Sequence, residues 1–345
     1  METELRITDI FEETEDTKTY FLERVDGKKL EYEAGQFLTL LLEINGRKVR
    51  RSYSFGSAPG IDKYPFITIK RKTNGEISRF IQDNFFVGSR LKALPAAGRF
   101  TLSFPLRKSY FCITGGSGIV PAFSLIKSIL NNHEQLTVFL LNQSRSENDI
   151  IYKNELEALH HRFQSRFTWQ QLFSKPLGNR HSLKRLSNLL LEEILLDFFS
   201  SNPIQNNVVF YLCGPQAIMR MAEFTLKLIG FPDQQIKKEQ FVVDLAKPVI
   251  PLLDRGERSV SIRFEGQQFV FSVNYPQTIL DAALNNNIEL PYSCKAGICS
   301  ACLARVDSGK IIMGNNEVLT DKEVADHKIL TCVAYAATDV ELSIG

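Results

Sequence analysis

Residues 293–302 read Ser-Cys-Lys-Ala-Gly-Ile-Cys-Ser-Ala-Cys, and a further cysteine, Cys332, follows thirty residues after the last of these. The spacing C-x4-C-x2-C…C over Cys294, Cys299, Cys302 and Cys332 is the ligand pattern of an iron–sulfur cluster of the 2Fe-2S type. Most of the thiolates come from one tight loop, which explains why the loop is rich in small residues. Small side chains let the backbone wrap closely and aim N–H groups at the cluster sulfurs, raising the reduction potential. A zinc site usually pairs two C-x2-C units, and a disulfide framework belongs to short secreted chains. Neither accounts for the x4-then-x2 pattern. The chain is expected to move single electrons.

At 345 residues there is room for two or three domains, and an apolar content of 44% supports proper cores. No run of apolar residues is long enough to span a bilayer, and the acidic start METELRITDIFEETED does not resemble a signal peptide. A cytoplasmic protein is expected. The formal charge of +2 hides an asymmetry: residues 258–345 carry 7 Lys/Arg and 10 Asp/Glu, net −3, and the remainder 34 and 29, net +5. An acidic electron carrier tethered to a basic body is expected to dock partly by attraction. Basic residues interleaved with acids form no nucleic-acid stripe.

The residues suggest four segments. Over 1–104, short alternating runs (Tyr20–Arg24, Phe37–Leu42, Phe66–Arg71) between Gly and Pro turns predict an antiparallel β-barrel. Over 105–245, apolar strands at Tyr110–Thr114, Leu136–Leu141 and Val208–Cys213 alternate with helical stretches at Pro121–Leu130, Tyr152–Arg162 and Gln216–Leu228. That rhythm predicts an α/β domain with a parallel sheet covered on both faces. The Leu-rich segment Leu183–Phe199 is expected to pack on that core, with a partner-binding face as the alternative. Residues 246–257, with two prolines and a glycine, are expected to be a linker. Over 258–345, a hairpin (Ser259–Phe264 and Gln268–Val273) and a helix (Thr278–Asn286) precede the cysteine loop.

Two sets of residues suit nucleotides. Arg51-Ser52-Tyr53-Ser54, then Gly75-Glu76-Ile77-Ser78 opening a helix, offer a guanidinium for pyrophosphate, a ring for an isoalloxazine and helix N–H groups for phosphate. Such short motifs also arise by chance. Strand Tyr110–Thr114 runs into Gly115-Gly116-Ser117-Gly118-Ile119-Val120-Pro121, and Cys213-Gly214-Pro215 ends a later strand at the same carboxyl edge, where open parallel sheets bind ligands. Without the strict G-x-G-x-x-G fingerprint this signal alone is weak, and Cys213 could equally be a buried strand-end thiol. Arg145, which follows one strand with no acid before Glu147, favours a 2′-phosphate, hence NADPH over NADH; a solvated loop arginine is the alternative. Cys112 is expected in the core, and the five histidines form no ligand pair of useful spacing.

With those residues in hand, the last 88 residues resemble plant-type ferredoxin and its α+β β-grasp fold, through TILDAALNNNIELPYSCKAGICSACLARVDSGKI and VLTDKEVADHKILTCVAYAATDVELSI. Residues 1–245 resemble the ferredoxin–NADP reductase family, an FAD-binding β-barrel followed by a nucleotide domain. The resemblance assigns Arg51, Ser52, Tyr53, Ser54, Ile69, Lys70, Gly75, Ile77 and Ser78 to the flavin. It assigns Thr114, Gly115, Gly116, Arg145, Ser174, Lys175, Cys213, Gly214 and Pro215 to the pyridine nucleotide. Ser174-Lys175 lie where NADP-binding relatives of that family carry a serine and a basic residue. Where that family ends on an aromatic over the flavin, this chain continues, and the resemblance leaves Glu239 and Phe241 as the nearest candidates for that face, with Phe241 assigned to the flavin. Ser54, Cys213 and Glu239 are the implied catalytic residues. The order of domains resembles reductase components of multicomponent oxygenases, with a C-G-P…M stretch and a G-F-P-D turn as in the phenylacetyl-CoA epoxidase type. The resemblance implies hydride transfer from NADPH to FAD, then single electrons through the cluster to a terminal oxygenase. Reductases of ring-hydroxylating or steroid oxygenases or of desaturases are the nearer alternatives, and a flavin/cluster redox sensor the more distant one.

Overall fold

The computed structural model describes residues 2–44, 46–73, 75–102, 105–177, 185–201, 207–241, 256–314, 316 and 318–344. The expected linker 246–257 lies almost wholly outside the described residues. The chain divides into two compact units, Met1–Ala96 with Phe100–Phe241, and Ala97–Arg99 with Val242–Gly345.

In the first unit, β1 (Thr3–Thr14), β2 (Thr17–Arg24), β3 (Phe37–Ile44), β4 (Arg47–Ser54), β5 (Phe66–Lys70) and β6 (Arg90–Ala93) form an antiparallel sheet ordered β4-β3-β6-β1-β2-β5. A bridge between Phe55 and Ile67 joins its two ends into the expected barrel. Inward residues such as Leu5, Ile7, Leu22, Leu38, Leu40 and Ile69 are buried in its core, as the alternation of apolar and polar residues requires. Helix α1 (Glu76–Asn84) plugs one end through Ile81.

The parallel sheet of the same unit is ordered β11-β10-β7-β8-β9, with β7 (Ser109–Gly115), β8 (Thr137–Ser144), β9 (Phe167–Phe173), β10 (Val208–Cys213) and β11 (Ile236–Glu239). Every residue of β7 and β10 is buried, as inner strands covered on both faces must be. Helices α2 (Ile119–Asn132) and α3 (Lys153–Arg162) pack on one face, with Cys112 in that core. Helices α4 (Asn188–Ser201) and α5 (Gln216–Ile229) cover the other. The predicted Leu-rich segment starts in residues outside the described ones. Its helix packs Leu191, Ile194, Leu195 and Phe198 on the core and leaves Leu189 and Leu196 exposed.

In the second unit, β12 (Arg258–Phe264), β13 (Gln267–Val273), β14 (Leu303–Ser308), β16 (Lys328–Leu330) and β18 (Val340–Ile344) form a mixed sheet ordered β13-β12-β18-β14-β16. A small ribbon pairs β15 (Ile311–Met313) with β17 (Ala334–Ala336). Helix α6 (Ile279–Asn285) starts where the Thr278 side chain accepts from the Asp281 N–H at 3.1 Å. It packs Ile279, Leu280, Ala282 and Ala283 into a core that also holds Cys302 and Cys332. A short helix α7 (Asp321–Ala325) closes the fold. Among the described residues no helix is long and apolar enough to cross a membrane.

Candidate functional site

The cysteine loop brings all its sulfurs together. Cys294 and Cys299 Sγ lie 3.1 Å apart, and Cys302 and Cys332 Sγ 3.2 Å. Cys332 also reaches Cys294, so the pairs form one group. Lys295 and Gly297 stand at φ 57 and 74, and this alternation turns successive N–H groups inward to make an anion-binding nest. The Ala296 N–H donates to Cys294 Sγ at 3.4 Å, and Ile298 and Ala301 N–H groups aim at Cys294 and Cys299. Hydrogen bonds from Cys299 and Cys332 hold Cys294 down to about 2. A close-set group of four sulfurs with backbone donors beside it fits a cluster of the predicted type.

The carboxyl edge of the parallel sheet assembles the second group. Register places Glu239 beside Cys213, Cys213 beside Thr114, and Thr114 beside Asn142. Neighbours in register face the same side of a sheet, so these side chains form one row. From the barrel, Ser54 Oγ donates to Glu239 Oε2 at 2.8 Å. Burial pushes the Glu239 carboxyl up to about 8 and the Cys213 thiol well above its ordinary range. Asn142 and Gln171 were not singled out in the sequence, yet they extend the row. Thr114 Oγ1 donates to Asn142 Oδ1 at 2.7 Å, and Asn142 Nδ2 to Gln171 Oε1 at 3.0 Å. Their only sequence signal is a polar residue near the end of each apolar strand.

The glycines of this edge serve two purposes. A Cβ on Gly118 would lie 2.1 Å from the Cys213 carbonyl oxygen, and one on Gly214 2.8 Å from the Gly115 nitrogen. These two glycines let the loops after β7 and β10 pack backbone to backbone. At Gly116 a Cβ would meet nothing within 4 Å, so that position faces open space suited to a ligand. Pro215 precedes α5, and its ring would crowd a Cβ on Gly115 at 2.9 Å.

Arg51, Ser52, Tyr53 and Ser54 all lie on β4, with Arg51 exposed and Ser54 buried. Ser52 Oγ and Thr39 Oγ1 are 2.8 Å apart. Ile69 is buried in the barrel core, and Lys70 Nζ pairs with Asp16 at 3.0 Å. Gly75 caps α1, and Ser78 Oγ accepts from the Lys72 N–H at 3.1 Å, folding the loop onto the N-terminus that Ile77 follows. Tyr20 Oη is buried with no hydrogen-bond partner among the described residues, and its electrostatic neighbours include Tyr53 and Arg71. An orphaned phenol between the two segments expected to hold a flavin fits a polar ligand there. Phe241 is 40% exposed just past β11.

Arg145, Ser174 and Lys175 are exposed at the ends of β8 and β9. The Lys175 N–H donates to the Arg145 carbonyl at 2.7 Å, which sets the two cationic residues side by side. Glu147, the nearest acid in sequence, accepts the Leu177 N–H at 2.9 Å.

Barrel, nucleotide sheet and thiolate loop together define an oxidoreductase that couples a flavin, a pyridine nucleotide and an iron–sulfur cluster. The oxidoreductase FAD-binding domain family matches residues 4–102, the oxidoreductase NAD-binding domain family residues 112–223, and the 2Fe-2S iron-sulfur cluster binding domain family residues 262–337. The ferredoxin reductase component of 3-ketosteroid-9-alpha-monooxygenase from Rhodococcus rhodochrous is 30% identical, over 97% of this chain and 94% of its own. One of the subunits of 1,2-phenylacetyl-CoA epoxidase from Escherichia coli (strain K12) is 27% identical, over 97% and 95%. The solved structure of phthalate dioxygenase reductase superposes with a TM-score of 0.62 at 22% identity, covering 99% of this chain and 98% of that one. The chain belongs to the family of reductases that join FAD-binding, NAD-binding and 2Fe-2S domains in one polypeptide.

Proposed function

We propose that the chain is the NADPH-dependent reductase component of an oxygenase system, with domains bounded at 104/105 and 245/246 and a linker to 257. The observation that supports it best is the row Glu239, Cys213, Thr114 meeting Ser54 from the barrel, in a chain that also carries the thiolate loop. Bound FAD would split a hydride's two electrons into single ones, and a 2Fe-2S cluster on Cys294, Cys299, Cys302 and Cys332 would hand them on. The protein's part is positioning. Arg51 and the α1 N-terminus would hold pyrophosphate and phosphate, Tyr53 would supply a ring for the flavin to pack on, and Phe241 would be a candidate to cover it from the other side. Gly115, Gly116, Gly214 and Pro215 shape the edge for the nicotinamide. Arg145, Ser174 and Lys175 receive the 2′-phosphate. Cys213 lies against the reacting ring as a neutral thiol, and Glu239 keeps a proton through neutral pH, hydrogen-bonded to Ser54.

The finer reading of the partner is an oxygenase of the phenylacetyl-CoA epoxidase type, carried by the C-G-P…M stretch and the G-F-P-D turn. The steroid alternative draws equal support from the ketosteroid relative. A reducing compartment suits the free thiols, in keeping with a cytoplasmic location. The test compares the full chain with one ending at residue 257. Both should reduce ferricyanide rapidly with NADPH, and only the full chain should reduce cytochrome c or support product formation by an added oxygenase. The epoxidase and the ketosteroid monooxygenase are the two oxygenases to add. Slow turnover with every acceptor would favour a redox sensor instead.

A further inference from the structure

Where the barrel meets the nucleotide sheet, two backbone irregularities converge. Past an earlier slip between Ile7 and Asp9, strands β1 and β2 pair from Asp9 opposite Phe21 to Glu12 opposite Lys18, then slip again to Thr14 opposite Thr17, leaving Glu13 as a bulged residue. An extra residue bends its strand and re-aims its side chain. Tyr152, just before α3, stands at φ 60 and ψ 33, a left-handed conformation that bulky side chains avoid. Such outliers persist where the surroundings over-determine them and often mark functional positions.

The two residues meet in a closed hydrogen-bond ring. The Tyr152 N–H donates to Glu13 Oε2 at 3.2 Å, and Thr19 Oγ1 donates to Glu13 Oε1 at 2.6 Å. Thr19 and Thr68, opposite each other on β2 and β5, have hydroxyls 2.7 Å apart. Thr68 Oγ1 lies 2.5 Å from Tyr152 Oη. Because the Thr19 proton is committed to the carboxylate, Thr19 must accept from Thr68, and Thr68 from Tyr152. Both arms of the ring therefore start on Tyr152, one through its hydroxyl and the two threonines and one through its N–H, and both end on the Glu13 carboxylate, which accepts at each oxygen. Thr19, Thr68 and Tyr152 are buried away from bulk water. Gly56 makes room, since a Cβ there would lie 2.3 Å from Tyr152 Oη. Beside the ring, Tyr152 stacks on Phe123 of α2 at 4.3 Å, and Lys127 of that helix reaches Asp62 of the barrel at 2.5 Å.

We propose that Glu13, Thr19, Thr68 and Tyr152 are positioning residues for hydride transfer, locking the pose of the nucleotide sheet against the flavin barrel. The proposal rests on the functional reading above. Ser54 belongs to the barrel and Cys213 to the sheet, so the separation of the two reacting rings follows the pose of these layers. Small misplacements of reacting atoms cost rate steeply. Nucleotide affinity, set within the sheet, should not follow.

Stopped-flow mixing of the FAD-loaded full chain with NADPH reads three quantities: the flavin-bleaching rate at saturation, the NADPH Kd, and the long-wavelength nicotinamide–flavin charge-transfer band. Thr19→Val, which swaps the hydroxyl for a methyl, should bleach roughly ten-fold more slowly with a weaker band, at unchanged Kd and FAD content. Thr19→Ser, which keeps the donor, should restore the rate. Tyr152→Phe should act like Thr19→Val and carries the test if that variant fails to fold. Wild-type rate and band in Tyr152→Phe, or Thr19→Ser as slow as Thr19→Val, would overturn the lock. A wild-type flavin that neither NADPH nor NADH bleaches would overturn the functional reading instead.

Discussion

The cysteine loop and the end of β10 both present sulfur, in different surroundings. Hydrogen bonds between the clustered thiols lower Cys294 and Cys302 and raise Cys299 and Cys332, whereas burial alone leads the rise at Cys213. In the loop, neighbouring thiols and inward N–H groups stabilise negative charge and hold Cys294 down to about 2. At the sheet edge Cys213 is enclosed by apolar strand, beside a carboxyl, and burial pushes its thiol well up. Burial alone does not decide the outcome, because Cys302 is nearly as buried as Cys213 yet is lowered by its bond with Cys332. Donors aimed at the sulfur make the difference. In the proposed reductase the first region would bind metal as thiolate, and the second would keep its thiol neutral at the sheet edge.

The largest effect expected from this contrast is on metal. Cys299→Ser should lower iron from about two per chain to nearly none while flavin content stays intact, and Cys213→Ser should leave iron unchanged. Iron analysis beside the flavin spectrum checks both. Iron retained in Cys299→Ser, or zinc found in its place, would break the comparison.

A smaller effect belongs to the cations at the end of β8 and β9. Arg145→Ala and Lys175→Ala should each weaken NADPH by about ten-fold and leave NADH nearly unchanged. The low end of the range for a charged hydrogen bond applies because both side chains are exposed. Titration of each nucleotide measures it, and a wild type that prefers NADH would show the pocket to be misassigned.

The smallest effect sharpens the neutral side of the contrast. The Glu239 carboxyl is raised from 4.5 to about 8, so the folded state binds its proton more tightly than the unfolded chain does. Its contribution to stability is full below the ordinary carboxyl range and is lost as pH rises through about 8. Wild type should therefore lose Tm more steeply than Glu239→Gln as pH rises from about 4.5 to about 8, the interval between the unfolded and folded values, and no more steeply above it. The hydride-transfer rate should show a break of a few-fold near pH 8 that Glu239→Gln lacks. Parallel melting curves and matching pH–rate profiles would contradict the raised carboxyl.

What the sequence determined by itself lies in contiguous or strictly spaced runs. The cysteine loop, the alternation along β2, β3 and β5, and the apolar runs of β7, β8 and β10 each declare their element, because ligand spacing and periodicity are local properties. The order of the family's domains follows from those same runs. Tertiary structure alone decided which distant residues meet. Ser54 finds Glu239 across 185 positions, and Tyr152 finds Glu13 across 139. Asn142 and Gln171 join Thr114 only because parallel strands align in register. Gly118 and Gly214 let two loops pack backbone to backbone, which no motif announces. The physical reason is the same each time: register, a bulge and burial are set by the packing of whole layers, and a one-dimensional pattern records a residue's own periodicity but not its neighbour across the fold.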